Sequence, residues 1–238
     1  AQGPPILSKS DFNRAAVAGN RVASPAVRPN QVAALKPESQ KHTAASKETM
    51  PNELKIGIII GSTRPGRKAE AVAKWVLEHT ANRTDATFEL VDLQDFNLPL
   101  LDEAMPPMFR KYQHEHTKLW SAKIDSLDGF IFVTPEYNHA TTGALKNAID
   151  YLYQEWNNKA AGFVGYGSAG GVRAVENLRL ILGELSVADV RAQVALSLMT
   201  DFENYTVFKP SPHHSKSLGT LFDQVVAWSK ALKTLRAS

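Results

Sequence analysis

From residue 55 onward the chain predicts the α/β class, with five short strands in one parallel sheet and helices wound on both faces. Three observations carry that prediction. Short apolar, β-branched runs recur at intervals, as buried strands require. Stretches with helical periodicity separate them, joined by short loops, and that alternation is the pattern of a parallel sheet covered on both sides. Three of the strands run straight into a glycine-rich or proline-bearing loop and then a helix, so one local unit is repeated three times.

The first strand, 55–60, rests on Ile56, Ile58, Ile59 and Ile60, and an amphipathic helix over 67–82 follows it. A second strand at 87–92 and a helix at 108–126 come next. The third strand, DGFIFVT at 128–134, leads to a helix at 141–155 whose inner face reads Ala144, Leu145, Ala148, Ile149 and Leu152. The fourth, AAGFVGYG at 160–167, leads to a helix at 171–185 with Val175, Leu178, Ile181 or Leu182, and Leu185 inward. A fifth strand at 190–198 and a helix at 215–236 complete the series.

The loop Gly61-Ser62-Thr63-Arg64-Pro65-Gly66-Arg67 has the chemistry of an anion site. It offers backbone N–H groups, two hydroxyls and up to two guanidinium groups near a helix N-terminus, and that spot favours phosphate. A nucleoside triphosphate is excluded, because Gly66-Arg67-Lys68-Ala69 has neither the lysine in register nor the metal-binding hydroxyl of GxxxxGK[ST]. A dinucleotide pyrophosphate needs three glycines where this loop has hydroxyls and arginine. A terminal monophosphate fits the residues present. Elsewhere, Tyr166 stands two residues before Ser168, where a GxSxG nucleophile elbow needs glycine. Gly165, Gly167 and Gly170 satisfy GxGxxG literally, with Asp189 downstream, but that aspartate opens the next strand instead of ending one.

Taken together, GSTRPGR, TPEYNHATTGALKNAIDYL and GYGSAGG with VENLRLIL resemble the NADPH-dependent FMN reductases, the flavodoxin-like quinone, azo-dye and flavin reductases. The resemblance spans roughly residues 54–194 in the order and spacing of that family. It implies the strand order 2-1-3-4-5, which brings the ends of strands one, three and four together at the carboxyl edge of the sheet. It also implies that Ser62, Thr63 and Arg64, with Arg67 in addition, take the FMN phosphate. Pro135, Glu136, Tyr137 and Asn138 would lie along one edge of the isoalloxazine, and Gly167, Ser168, Gly170 and Gly171 would approach its pyrimidine end. NADPH or NADH would deliver hydride to flavin N5, and a quinone, azo compound, flavin or similar small acceptor would then be reduced. No catalytic side chain and no metal is then required, because the flavin carries the chemistry. Glu136 reads as a hydrogen-bonding residue and not as a proton donor. The alternative is an FMN electron carrier that does not itself oxidise pyridine nucleotide.

The remaining features are expected to be structural. His114 and His116 fall in a helix-like stretch, where positions i and i+2 diverge, and His213-His214 in a proline-rich loop; both read as solvated surface. Trp75, Trp120 and Trp228 read as core or interface, and nothing indicates nucleic-acid binding. No apolar run approaches the roughly 20 residues of a membrane span, so a soluble, cytoplasmic enzyme is expected. The formal charge of +3 is local: residues 1–49 hold seven Lys/Arg against three Asp/Glu, which leaves 20 against 21, or −1, for the rest. That small charge disfavours the carrier, which usually needs an acidic docking surface. Residues 1–50 read as a Pro/Ala-rich basic leader, disordered or an interaction arm, ahead of a flavodoxin-like reductase domain at 51–238, so a chain beginning at Met50 is expected to retain fold and activity. Apolar residues on 108–127, together with Tyr151, Tyr153 and Trp156, point to surface left for a partner. The resemblance implies a homodimer or homotetramer in which Leu98, Pro99 and Leu101 roof the neighbouring site.

Overall fold

The computed structural model describes residues 54–236, so the leader expected at 1–50 lies outside the described residues. The sheet is built from β1 (Lys55–Ile60), β2 (Thr87–Asp92), β3 (Gly129–Pro135), β4 (Ala160–Gly167) and β5 (Ala188–Ser197). Its order is β2-β1-β3-β4-β5, and every neighbouring pair is parallel. The helices are α1 (Ala69–Glu78), the one-turn α2 (Leu93–Phe96), α3 (Glu115–Asp125), α4 (Gly143–Asp150), α5 (Val172–Glu184) and α6 (His213–Arg236). A two-residue hairpin, β6 (Phe202–Glu203) with β7 (Val207–Phe208), follows the last sheet strand.

Side-chain alternation along the strands makes two cores. Ile56, Ile58, Ile60, Ile131 and Val133 point to one face, where Val72 and Val76 of α1 and Leu218, Leu221 and Val225 of α6 cover them. Ile59, Phe130, Phe132 and Phe163 point to the other, against Trp120 and Ile124 of α3, Leu145 and Ile149 of α4, and Leu178 and Leu182 of α5. The central strands β3 and β4 are buried throughout, whereas the edge strands β2 and β5 are only partly so.

The structure departs from the sequence reading in the 98–115 region. A helix was expected from 108, but Pro106 and Pro107 start a single 3-10 turn over Pro107–Phe109 and Arg110 takes a left-handed φ of 51°, so the helix begins only at Glu115. Proline at the entry and a left-handed residue at the exit stop regular helix on both sides. The loop is fastened to α4 instead: Asn147 donates to the Pro99 carbonyl at 2.6 Å and accepts from Leu101 N–H at 3.0 Å. Helix α4 stops at Asp150 and the chain turns inward, burying Tyr151 and Trp156 completely. Those two residues therefore belong to the chain's own core and are not surface for a partner. Trp120 is core as expected, Trp75 packs against His79 and Phe208, and Trp228 is about half exposed.

The histidines also need correcting. His114 precedes α3 in extended backbone, so helical divergence does not apply; its ring stacks on His116 at 5.2 Å, and His116 Nε2 lies 3.0 Å from Asp102 Oδ1. His214 is buried, with Nε2 3.0 Å from Asp201 Oδ1. Among the described residues no group of three or more His, Cys, Asp or Glu is placed to hold a metal ion. Among them, too, no helix is long and apolar enough to cross a membrane.

Lys159 is buried beneath α3, donating to the carbonyls of Ile124 at 2.7 Å and Asp125 at 3.2 Å. Burial pushes its ammonium down to about 8. Between that value and its ordinary 10.5 the unfolded chain keeps a proton that the folded chain has released. Stability therefore rises with pH across this window. Urea unfolding of the wild type and Lys159→Met from pH 7 to 10 should show a rise in the wild type that the variant lacks; parallel curves would refute the assignment.

Candidate active site

The parallel order sets the carboxyl ends of β1, β3 and β4 side by side. Gly61 N–H donates to the Val133 carbonyl at 2.8 Å, and Glu136 N–H to the Tyr166 carbonyl at 3.0 Å, so the three loops leave the sheet from one line. Thr142 adds a tie, donating to the Gly61 carbonyl at 2.5 Å while accepting from Leu145 N–H at 3.0 Å as the cap of α4.

In the first loop, Ser62 is buried while Thr63, Arg64, Pro65 and Gly66 are exposed. The N–H groups of Thr63 and Gly66 meet no acceptor among the described residues, and Lys68, at the N-cap of α1, supplies no side-chain cap. Unsatisfied donors at a helix N-terminus are what an anion requires. Arg64 forms no ion pair among the described residues. Arg67, expected beside it on the phosphate, is placed differently: its guanidinium donates to the Ser62 carbonyl at 2.8 Å and to Asp92 Oδ1 at 2.7 Å, with a second bond to Asp92 Oδ2. With 8% of its side chain exposed, it braces the loop against the end of β2 while still lining the cavity between the loops.

The second loop opens with Pro135 and Glu136 and closes as a two-residue hairpin. Tyr137 and Ala140 exchange backbone bonds of 3.0 and 3.1 Å around Asn138 (φ 47°) and His139 (φ 71°). Tyr137 Oη sits 3.2 Å from Ser62 Oγ, joining this loop to the first. Glu136 is committed: its carboxylate accepts from Arg173 N–H at 3.1 Å and lies 3.0 Å from Arg173 Nε. In the third loop Gly167 and the exposed Ser168 and Ala169 lead to Gly170 and Gly171, whose φ values of 70° and 71° turn the chain into α5. A Cβ on Gly171 would stand 2.5 Å from Tyr166 N, so only glycine lets this turn fold back on β4.

Between the loops lies a cavity of ≈ 160 Å³ lined by Arg64, Gly66, Lys68, Tyr137, Tyr166 and Gly167 among others. Another of ≈ 290 Å³ lies beyond Thr63, bounded by Asn97, Leu98 and Asn147. A larger hollow, ≈ 720 Å³, lies at the opposite edge of the sheet among Leu54, Asp85 and Asp223, where none of these loops reaches. Sequence reasoning missed Asp92, Tyr166, His139 and Arg173. Asp92 at a strand end and Arg173 just past two glycines were the available signals, but neither names its partner across the fold.

The sequence pattern of the family described as NADPH-dependent FMN reductase matches residues 54–201. The chain belongs to that family. Among its relatives, the NAD(P)H-dependent FMN reductase C4B3.06c of Schizosaccharomyces pombe is 39% identical over 180 residues, covering 73% of this chain and 90% of that protein. An NAD(P)H:quinone oxidoreductase of Solanum tuberosum is 32% identical over 139 residues, 54% of this chain and 66% of that protein. The solved structure of FerB from Paracoccus denitrificans, a flavoenzyme NAD(P)H:acceptor oxidoreductase, superposes with a TM-score of 0.59 at 20% identity, over 75% of this chain and 98% of that one, and so shares the fold. As an FMN reductase the chain is an oxidoreductase that uses FMN and NAD(P)H. The residues present fit that cofactor chemically: the loop at 62–66 offers N–H groups without acceptors and an arginine without an ion pair among the described residues, as a phosphate requires, and the glycine turn at 170–171 leaves room for a flat ring.

Proposed function

We propose that this FMN reductase holds the cofactor phosphate on Ser62, Thr63 and Arg64, with the ring system lying between Pro135–Asn138 and Gly167–Gly171. The bound flavin would take hydride from NADPH or NADH and pass electrons to a small acceptor such as a quinone, azo compound or flavin. The protein's residues bind and orient, and no side chain has to exchange a proton: Glu136 is held by Arg173, while burial raises the Tyr166 phenol above its ordinary range. The observation that carries this reading is the exposed phosphate loop with unsatisfied donors, adjoining the cavity at the carboxyl edge of the sheet. Arg67 belongs to the proposal as the brace that shapes this loop.

We further infer a homodimer or homotetramer, since Leu100, Leu101, Met105, Met108 and Phe109 expose apolar surface on one loop. A cytoplasmic setting and a reductase domain beginning near residue 51 complete the proposal.

The test is direct. Cofactor released from the purified protein should chromatograph as FMN and not FAD, and NADPH should be oxidised when quinone, azo-dye and free-flavin acceptors are supplied. Arg64→Ala should weaken FMN binding about tenfold or more, because a charge-assisted contact contributes about 1.5–3 kcal/mol. Undiminished affinity in that variant would reduce the loop to a plain turn.

A further inference from the structure

Glu136 is the one carboxylate among the described residues that lines the cavity at the three loops. Its side chain is only 9% exposed, yet it has not been neutralised by distance from other groups; Arg173 reaches across from α5 to meet it. One carboxylate oxygen accepts the Arg173 backbone N–H at 3.1 Å, and the other lies 3.0 Å from Nε of the same residue. The guanidinium is held from its far side as well, with Nη1 3.1 Å from His139 Nδ1. His139 occupies a left-handed position of the hairpin, φ 71°, where glycine is the ordinary choice. A non-glycine residue kept in such a conformation marks a constraint worth explaining, and here the histidine supplies the nitrogen that orients Arg173. The stem of Glu136 also runs beside the glycine turn, since a Cβ on Gly167 would stand 3.3 Å from Glu136 Cβ.

We propose that Arg173 is a positioning residue that sets the reduction potential of the bound flavin by cancelling the Glu136 charge. The proposal rests on the FMN reading above. Two-electron reduction places negative charge on the ring system, and an uncompensated carboxylate at its edge opposes that charge in a partly desolvated cleft. With Arg173 clasped to Glu136 the opposition is removed. His139 contributes by fixing the guanidinium, and Arg64 and Lys68 face the cavity from the opposite loop.

The experiment measures the potential of protein-bound FMN by equilibration with a reference dye, together with the affinity for oxidised FMN. Arg173→Ala should bind oxidised FMN nearly as the wild type does and reduced FMN about tenfold more weakly, which lowers a two-electron potential by about 30 mV. Adding Glu136→Gln to that variant should restore the wild-type potential. Arg173→Lys, which keeps the charge but not the planar guanidinium shared between Glu136 and His139, should fall between. An unchanged potential in Arg173→Ala, or an equal fall in the single and double variants, would overturn the proposal and leave the clasp a purely structural tie. Should Arg173→Ala lose FMN altogether, retention by the double variant supports the charge argument and loss from both overturns it. A wild-type protein that takes up no FMN would refute the proposed function itself, a separate result.

Discussion

Glu155→Ala should lower the unfolding free energy by about 2–3 kcal/mol, the cost of removing a buried hydrogen-bonded acceptor, and the melting temperature by roughly 5–10 °C. The side chain is fully buried in the turn after α4. It accepts from Ser121 Oγ at 2.6 Å and Tyr112 Oη at 3.0 Å, and Arg110 Nε lies 3.2 Å away. Alanine leaves the buried Ser121 hydroxyl without its acceptor and removes one tie of the 107–112 segment, while Arg110 keeps Asp125 and the Tyr112 hydroxyl keeps the Pro107 carbonyl. Desolvation and the adjacent carboxylate together hold the Tyr112 phenol above its ordinary range, so it stays protonated and keeps donating. Glu155→Gln retains an acceptor and should lose about half as much. Circular-dichroism melting decides the matter, and a loss below about 1 kcal/mol for the alanine variant, small for a buried acceptor, would contradict this account.

Gly171→Ala is the second large effect. Gly66 and Gly171 have nearly the same φ, 70° and 71°, but a Cβ on Gly66 meets nothing within 4 Å whereas one on Gly171 falls 2.5 Å from Tyr166 N and 2.8 Å from Gly165 C. Gly66→Ala should therefore cost only the left-handed penalty of about 1–2 kcal/mol. Gly171→Ala adds overpacking of about 1–3 kcal/mol and pushes the third loop off β4. Its FMN affinity should fall at least about tenfold, as a displacement costing about 1.4 kcal/mol of binding would require. Equal losses of stability and affinity in the two variants would show that the crowding at Gly171 relaxes freely.

The sheet was legible because its signal is local. Ile56 to Ile60 and Phe130 to Val133 carry the strand pattern within their own residues, and the three loops follow in register from the ends of those strands. The 98–115 region was not legible: Met108, Tyr112 and Leu119 suggest an apolar helix face, but the left-handed Arg110 cannot be read from composition, and Glu155 holds this segment from about 40 residues away. The three loops of the candidate site were read from the sequence as loops after strands, yet the pairings within them were not. Arg67 looked like a phosphate ligand because its partner Asp92 lies 25 residues on, at the end of another strand. Glu136 was recognised as a hydrogen-bonding residue without its partner Arg173, 37 residues away. His114 and His116 were judged by helical geometry that starts one residue too late to govern them.

The brace between Arg67 and Asp92 couples the phosphate loop to the fraying of an edge strand. Asp92 ends β2, where only Val91 is fully buried, and the same guanidinium holds the Ser62 carbonyl. Opening of the β2 terminus releases Arg67 and with it the shape of the loop proposed to take the phosphate, so a ligand that selects the closed loop also suppresses that opening. In native-state hydrogen exchange, FMN should slow the amides of Val91 and Asp92 more than those at the start of β5, the other edge, although no part of β2 is assigned to the cofactor. Occupancy and strand order would then be two readings of one local equilibrium.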